Sequence, residues 1–264
     1  MKIFLAMSKI VCIFAYRFQP FNPLTLFIMI TQKLLSPGFT NAKTAKNERL
    51  SYILYLSPHK QNSHGLTICP KATKGCINVC LVPNSGRAVV FNRITEARIK
   101  KTDFYFADRI GFLTQLNKEL FNANKLGEKL GKKIAIRLNG GSDLDFFTII
   151  KNRINVDVLS SYPNLVFYDY TKLIGKVEKY ADHKNYFVTF SRAENNDEDC
   201  KKALSLNVPV AVVFGGKIPK KYLDHVVIDG DKADDLMIDN RSVILALKPK
   251  GSKAKNDRSG FVVR

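Results

Sequence analysis

Ile134-Ala135-Ile136-Arg137-Leu138-Asn139-Gly140-Gly141-Ser142-Asp143 is the stretch that decides the fold. An apolar, β-branched run, Ile134–Leu138, predicts a strand and passes straight into glycine, hydroxyl and carboxylate residues. The same transition recurs along the chain. Leu165–Tyr168 runs into Asp169-Tyr170-Thr171-Lys172, and Tyr186–Phe190 into Ser191-Arg192-Ala193-Glu194. Val210–Phe214 runs into Gly215-Gly216-Lys217, and Val226–Ile228 into Asp229-Gly230-Asp231. Ser51–Ser57 and Val243–Leu247 read as further strands. Between them lie helical segments: Thr102–Leu126, Leu144–Leu159, Leu173–Tyr180 and Asp197–Leu206. In the first, Phe106, Ile110, Leu113, Leu116 and Leu120 follow the three-and-four spacing of an amphipathic helix. Strands alternating with helices imply βαβ crossovers and a parallel sheet. The expected architecture is therefore α/β, a parallel sheet with alternating helices forming a partial (β/α) barrel.

In such folds the C-terminal strand ends share one rim, where ligands bind. Any one polar cluster at a strand end can be a helix cap or a turn. Five together point to a site.

The chain has 264 residues, 45% hydrophobic and 25% charged, a composition that excludes a disordered chain. Lys and Arg number 42 against 23 Asp and Glu, a net charge of +19. Such a surplus suits a polyanion or a phosphate-bearing ligand. Five cysteines, an odd number, argue against a secreted disulfide scaffold and for a reducing, cytoplasmic setting. Residues 1–34 are basic and apolar, with no acidic residue before Glu48. Lys9, Arg17, Pro20 and Pro23 interrupt every window long enough to span a bilayer, so no stable membrane insertion is expected. This leader reads as a start assigned too early, with Met29 the natural beginning, or as a targeting segment. Residues 35–264 are expected to form a single α/β domain.

Cys69, Cys76 and Cys80 form C-x6-C-x3-C in the polar loop after strand Ser51–Ser57. Clustered thiolates suit a soft metal, either an iron–sulfur cluster or zinc. Three cysteines on a four-iron cluster leave one iron open. Zinc needs a fourth ligand, for which His64 and His59 are the candidates. Cys200, beside Asp197, Glu198 and Asp199, reads as structural.

A cysteine loop after the first strand and a glycine pair after the second resemble the layout of radical S-adenosylmethionine enzymes. That resemblance implies that Asn139, Gly140, Gly141 and Asp143 line the cofactor. Those enzymes typically carry C-x3-C-x2-C, a spacing this chain departs from. From about Leu35 to the C-terminus the chain also resembles an uncharacterised phage and mobile-element family, the gene-product-88-like proteins. The matching strings are Asn41-Ala42-Lys43-Thr44, Cys69-Pro70 to Cys80 with Gly86-Arg87, Arg98 to Lys101-Thr102, and Arg137-Leu138-Asn139-Gly140. They continue through Phe167–Lys172, Thr189–Arg192 with Glu194 and Asn196, Asp229-Gly230-Asp231 and Lys250-Gly251 to Val262. Met237 stands where that pattern leads one to expect arginine. The resemblance implies kinship and gene context, with the host cytoplasm as the setting, and carries no reaction.

Two functions follow as expectations. The first is an enzyme with a four-iron cluster on Cys69, Cys76 and Cys80 and S-adenosylmethionine beside the glycine pair. Asp169, Lys172, Arg192 and Glu194 would then meet a polar or phosphorylated substrate. The second is a zinc-stabilised nucleic-acid-binding protein of phage replication, its lysines neutralising phosphates. The first requires the rim residues and the thiols to converge on one pocket.

Overall fold

Seven parallel strands organise the protein, and six of them follow one another across the sheet in chain order. The structure is a computed structural model that describes residues 33–40 and 43–264, of which Lys33–Arg264 forms one compact unit. The leader expected over residues 1–34 lies outside the described residues except for Lys33 and Leu34. The strands are β1 (Leu35–Pro37), β2 (Ser51–Leu54), β3 (Ile134–Arg137), β4 (Leu165–Thr171) and β5 (Tyr186–Ser191). They continue with β6 (Val210–Val213), β7 (Lys221–Tyr222), β8 (His225–Asp229) and β9 (Ile244–Leu247). The sheet order is β1-β2-β3-β4-β5-β6-β9-β8-β7. Neighbours from β2 to β8 run parallel, whereas β1 and β7 pair antiparallel at the two edges. The sheet is thus open at both ends among the described residues, a partial rather than a closed barrel.

Three short helices follow β2: α1 (Lys74–Asn78), α2 (Leu81–Asn84) and α3 (Arg87–Val90). Next come α4 (Asn92–Ala107), α5 (Arg109–Leu130), α6 (Phe146–Ile154), α7 (Val158–Ser161), α8 (Ile174–Tyr180), α9 (Asp197–Ser205) and α10 (Gly251–Lys255). The single helix expected over Thr102–Leu126 is two. Asp108 leaves helical geometry, and its carboxylate accepts the Gly111 N–H at 2.9 Å, capping α5. Consequently α5 buries Phe112, Leu113, Leu116 and Leu120, whereas Ile110 is exposed.

Successive residues of β4 face opposite sides of the sheet. Phe167 and Tyr186, register partners, point towards the helices and pack edge-on against Phe147 of α6, with centroids 5.0 and 4.6 Å apart. Val166 and Tyr168 point the other way and pack with Ala135, Ala211, Leu245 and Met237. That inner face is closed over β5 by the 3₁₀ turn Leu236–Ile238. Met237 is fully buried there, in surroundings that suit a thioether and not a guanidinium. Because singly wound strands place their helices on one side, the inner face is left for the loops and for a cavity.

Candidate functional site

β3 ends at Arg137, and the chain then turns through Asn139–Asp143 against the end of β2. The Gly140 N–H donates to Leu54 O and the Asp143 N–H to Ile68 O, both at 2.9 Å, so the turn is laced to β2 and to the cysteine loop. A Cβ on Gly141 would lie 2.4 Å from Leu56 O, and one on Gly140 2.8 Å from Leu54 O. Glycine is required here by backbone approach. Asn139 is buried and fully engaged. Its Oδ1 accepts from Ser142 Oγ (2.7 Å) and Leu144 N (2.9 Å), and its Nδ2 donates to Leu144 O (2.9 Å) and to Asp169.

The rim opens onto a cavity of about 1000 Å³ on the inner side of the sheet. Cys69, Cys76 and Cys80 all line it, as do Asn139, Gly140, Gly141, Asp143, Lys172 and Arg192. Asp169, Glu194 and Asp229 do not line it. Asp169 was expected in a loop, but β4 continues through Thr171, whose partner is Phe190 of β5. On β4 Asp169 alternates to the helix side, where Lys176 Nζ of α8 meets it at 3.0 Å and Tyr186 OH donates at 3.4 Å. Both members of that ion pair are buried.

Glu194 holds up the cysteine loop instead of facing the cavity. It accepts the Gly75 N–H at 2.8 Å and the Thr73 hydroxyl at 2.7 Å, and Thr73 Oγ1 in turn accepts the Cys76 N–H at 3.1 Å. Burial alone would raise the Glu194 carboxyl, but these hydrogen bonds outweigh it and hold the group below its ordinary range. Gly75 has no room for a side chain, since a Cβ would sit 2.7 Å from Glu194 Oε2. Arg192 is a similar strut. It pairs with Asp197 at 3.1 Å and donates to the carbonyls of Gly260 and Phe261.

The three thiols are free. Burial pushes the Cys69 thiol up to about 12, against a hydrogen bond from the His59 N–H at 3.3 Å. The neighbouring Cys80 and Cys76 push in the same direction as burial. Burial also raises Cys80, opposed by Lys172 and Arg98 nearby. Among the described residues no group of three or more His, Cys, Asp or Glu side chains is arranged to hold a metal ion. Neither histidine candidate lines the cavity: the His59 ring contacts Thr67 at 3.3 Å, beside Cys69, and exposed His64 packs on Phe106. Cys200 is fully buried beside Asn196, as a structural cysteine should be.

On the cavity wall lysines and arginines outnumber carboxylates. Lys43, Arg137, Lys172, Arg192, Lys248, Lys250 and Lys255 face Asp143, Asp231 and Asp234. Each of these carboxylates is already engaged. Asp143 accepts from Thr171 Oγ1 (2.6 Å) and Lys172 N (2.8 Å), and burial pushes its carboxyl up. Asp231 pairs with Lys250 at 2.9 Å. Asp234 meets Arg137 at 2.8 Å and Lys43 at 3.3 Å. Burial opposes its ionisation, yet these two cations hold the Asp234 carboxyl below its ordinary range. Lys172 makes no ion pair among the described residues; its ammonium lies over the Phe261 ring.

Arg137 and Asp234 were not among the expected site residues. The available signal was a lone arginine inside the apolar run Ile134–Leu138, on a strand whose neighbours are all buried.

Residues 31–264 match the model of one protein family, Gene product 88. The chain therefore belongs to the gene product 88 family. No curated protein and no solved structure matches it. No described helix is long and apolar enough to cross a membrane.

Proposed function

We propose that this gene product 88 protein is an iron–sulfur enzyme of the host cytoplasm whose active site is the cavity beside the cysteine loop. Cys69, Cys76 and Cys80 would hold a four-iron cluster. The turn Gly140-Gly141 with Asp143 would receive S-adenosylmethionine, and Lys172 and Arg192 a polar or phosphorylated substrate. One observation carries the reading: the three thiols, the glycine turn and a surplus of cations line the same cavity.

Thiol donors suit the group in kind, although among the described residues their arrangement does not form a metal-holding set. The buried Cys69 and Cys80 thiols hold their protons tightly, and ligation is what would stabilise their thiolates. The reading requires the metal to draw the thiols together, and the short helices α1 and α2, which begin just after Thr73 and at Leu81, are the segments that would adjust. When bound, the group would supply one-electron chemistry. The protein's own residues would orient the ligands and exclude water from them. Glu194 serves as a positioning residue, through Gly75 and Thr73. Asp169 and Lys176 act on architecture.

The net charge and the lysine-lined rim favour a second reading, a zinc-stabilised nucleic-acid-binding protein. Anaerobic purification and reconstitution, followed by iron, sulfide and zinc analysis, separates the two. The first reading expects about four irons and four sulfides per chain, lost in the Cys69/Cys76/Cys80 triple alanine variant. Stoichiometric zinc without iron supports the second, and a protein that takes up neither metal ends both.

A further inference from the structure

We infer that Arg137 is the anchor for a phosphate group of the substrate, on the inner face of the sheet; this rests on the proposal that the cavity is the substrate site. Arg137 is the last residue of β3 and lines the cavity. Its side chain is 17% exposed, and its guanidinium lies 4.7 Å from the Tyr170 ring centroid. One nitrogen, Nη1, is engaged, donating to Asp234 Oδ2 at 2.8 Å. Nε is sealed from solvent without a hydrogen-bond partner, and Nη2 makes no hydrogen bond among the described residues. The unpartnered Nε–Nη2 edge is the fork with which arginine grips a carboxylate or phosphate through two parallel bonds. Buried donors are nearly always paired; among the described residues Arg109 Nε and Arg241 Nη1 are also unpaired, and of the three arginines Arg137 alone lines the cavity, where a ligand acceptor can supply the partner.

Asp234 does not neutralise this region. Its oxygens meet Arg137 and Lys43 and accept from Tyr168 OH at 3.2 Å, so two cations share one carboxylate. Asp234 thereby fixes the guanidinium plane against Tyr170 while leaving net positive charge at the wall. Phosphate is favoured over carboxylate because the same wall carries Lys172, Lys248 and Lys255, none in an ion pair among the described residues. A carboxylate offers one negative charge to this set, whereas a phosphate offers up to two and three acceptor oxygens.

The test uses the full-length metal-free protein and inorganic pyrophosphate as probe, measured by calorimetric titration at fixed ionic strength, with malonate as the dicarboxylate control. Wild type should bind pyrophosphate saturably and more tightly than malonate. Arg137→Lys retains the charge and loses the fork, and should weaken pyrophosphate binding at least tenfold. Lys133→Gln, at the opposite end of β3, should leave it unchanged. Arg137→Gln combined with Asp234→Asn avoids a buried unpaired carboxylate and should match Arg137→Lys. Equal affinity in wild type and Arg137→Lys, no saturable binding by wild type, or tighter binding of malonate overturns the assignment. Iron and sulfide measured on reconstituted wild type and on Arg137→Lys keep the two proposals apart. Lost pyrophosphate binding in a protein that never takes up a cluster upholds the anchor and ends the enzyme reading.

Discussion

Both faces of the central sheet bury an acid beside a base, and they do so differently. On the helix side, Asp169 is saturated by Lys176, Asn139 and Tyr186. On the inner side, Asp234 is shared by Arg137 and Lys43, and Arg137 keeps an unpaired donor. A saturated buried pair holds architecture, because every polar atom already has its partner. An unsaturated one beside a cavity has capacity left for a ligand. Burial alone does not tell the two apart; the tally of donors and acceptors does.

Breaking the saturated pair should have the largest effect. Lys176→Met leaves Asp169 charged and buried without its partner, and should cost about 3–5 kcal/mol in urea unfolding. Adding Asp169→Asn should recover much of that loss. If Lys176→Met unfolds like wild type, the helix-side cluster is not the structural one.

The glycine turn comes next. Gly141→Ala places a methyl group 2.4 Å from Leu56 O, and the backbone must shift, at a cost of roughly 1–3 kcal/mol. Gly216, also in a strand-end glycine pair, has nothing within 4 Å of its would-be Cβ, so Gly216→Ala should stay within about 0.5 kcal/mol of wild type. Equal effects at the two positions would mean that the turn gives way freely, and the tight lacing to β2 would be wrong.

The smallest effect belongs to the strut. Glu194→Gln should lower the melting temperature slightly and speed hydrogen exchange at Gly75. The folded carboxyl lies below its unfolded value, so its stabilisation is present above the unfolded pKa and fades as pH falls through the folded one. The difference between wild type and variant should therefore close under acid conditions. A gap that persists there would assign the effect to shape and not to charge.

Much of this was legible in the chain. Short apolar, β-branched runs and three-four spacing locate the parallel strands and their helices, and the rim follows from strand polarity. Edge strands β1 and β7, three and two residues long, carry too little pattern to read. The placement of Asp169 was missed because Leu165–Tyr168 looks complete in sequence, whereas pairing with β5 extends β4 to Thr171 and turns the aspartate under α8. Glu194 was expected to meet substrate. No local pattern reveals that it reaches across 119 positions to cap Gly75. Lys172 and Arg192, each the first residue past its strand, do reach the cavity, and so do the three cysteines of the long loop after β2.

The central claim is that thiols and glycine turn form one site. It is tested most directly by electron paramagnetic resonance of the anaerobically reconstituted, chemically reduced protein, with and without S-adenosylmethionine. The expected result is a cluster signal that changes on adding S-adenosylmethionine and is absent from the triple alanine variant. A cluster signal indifferent to S-adenosylmethionine, or none from fully reconstituted protein, would contradict the claim.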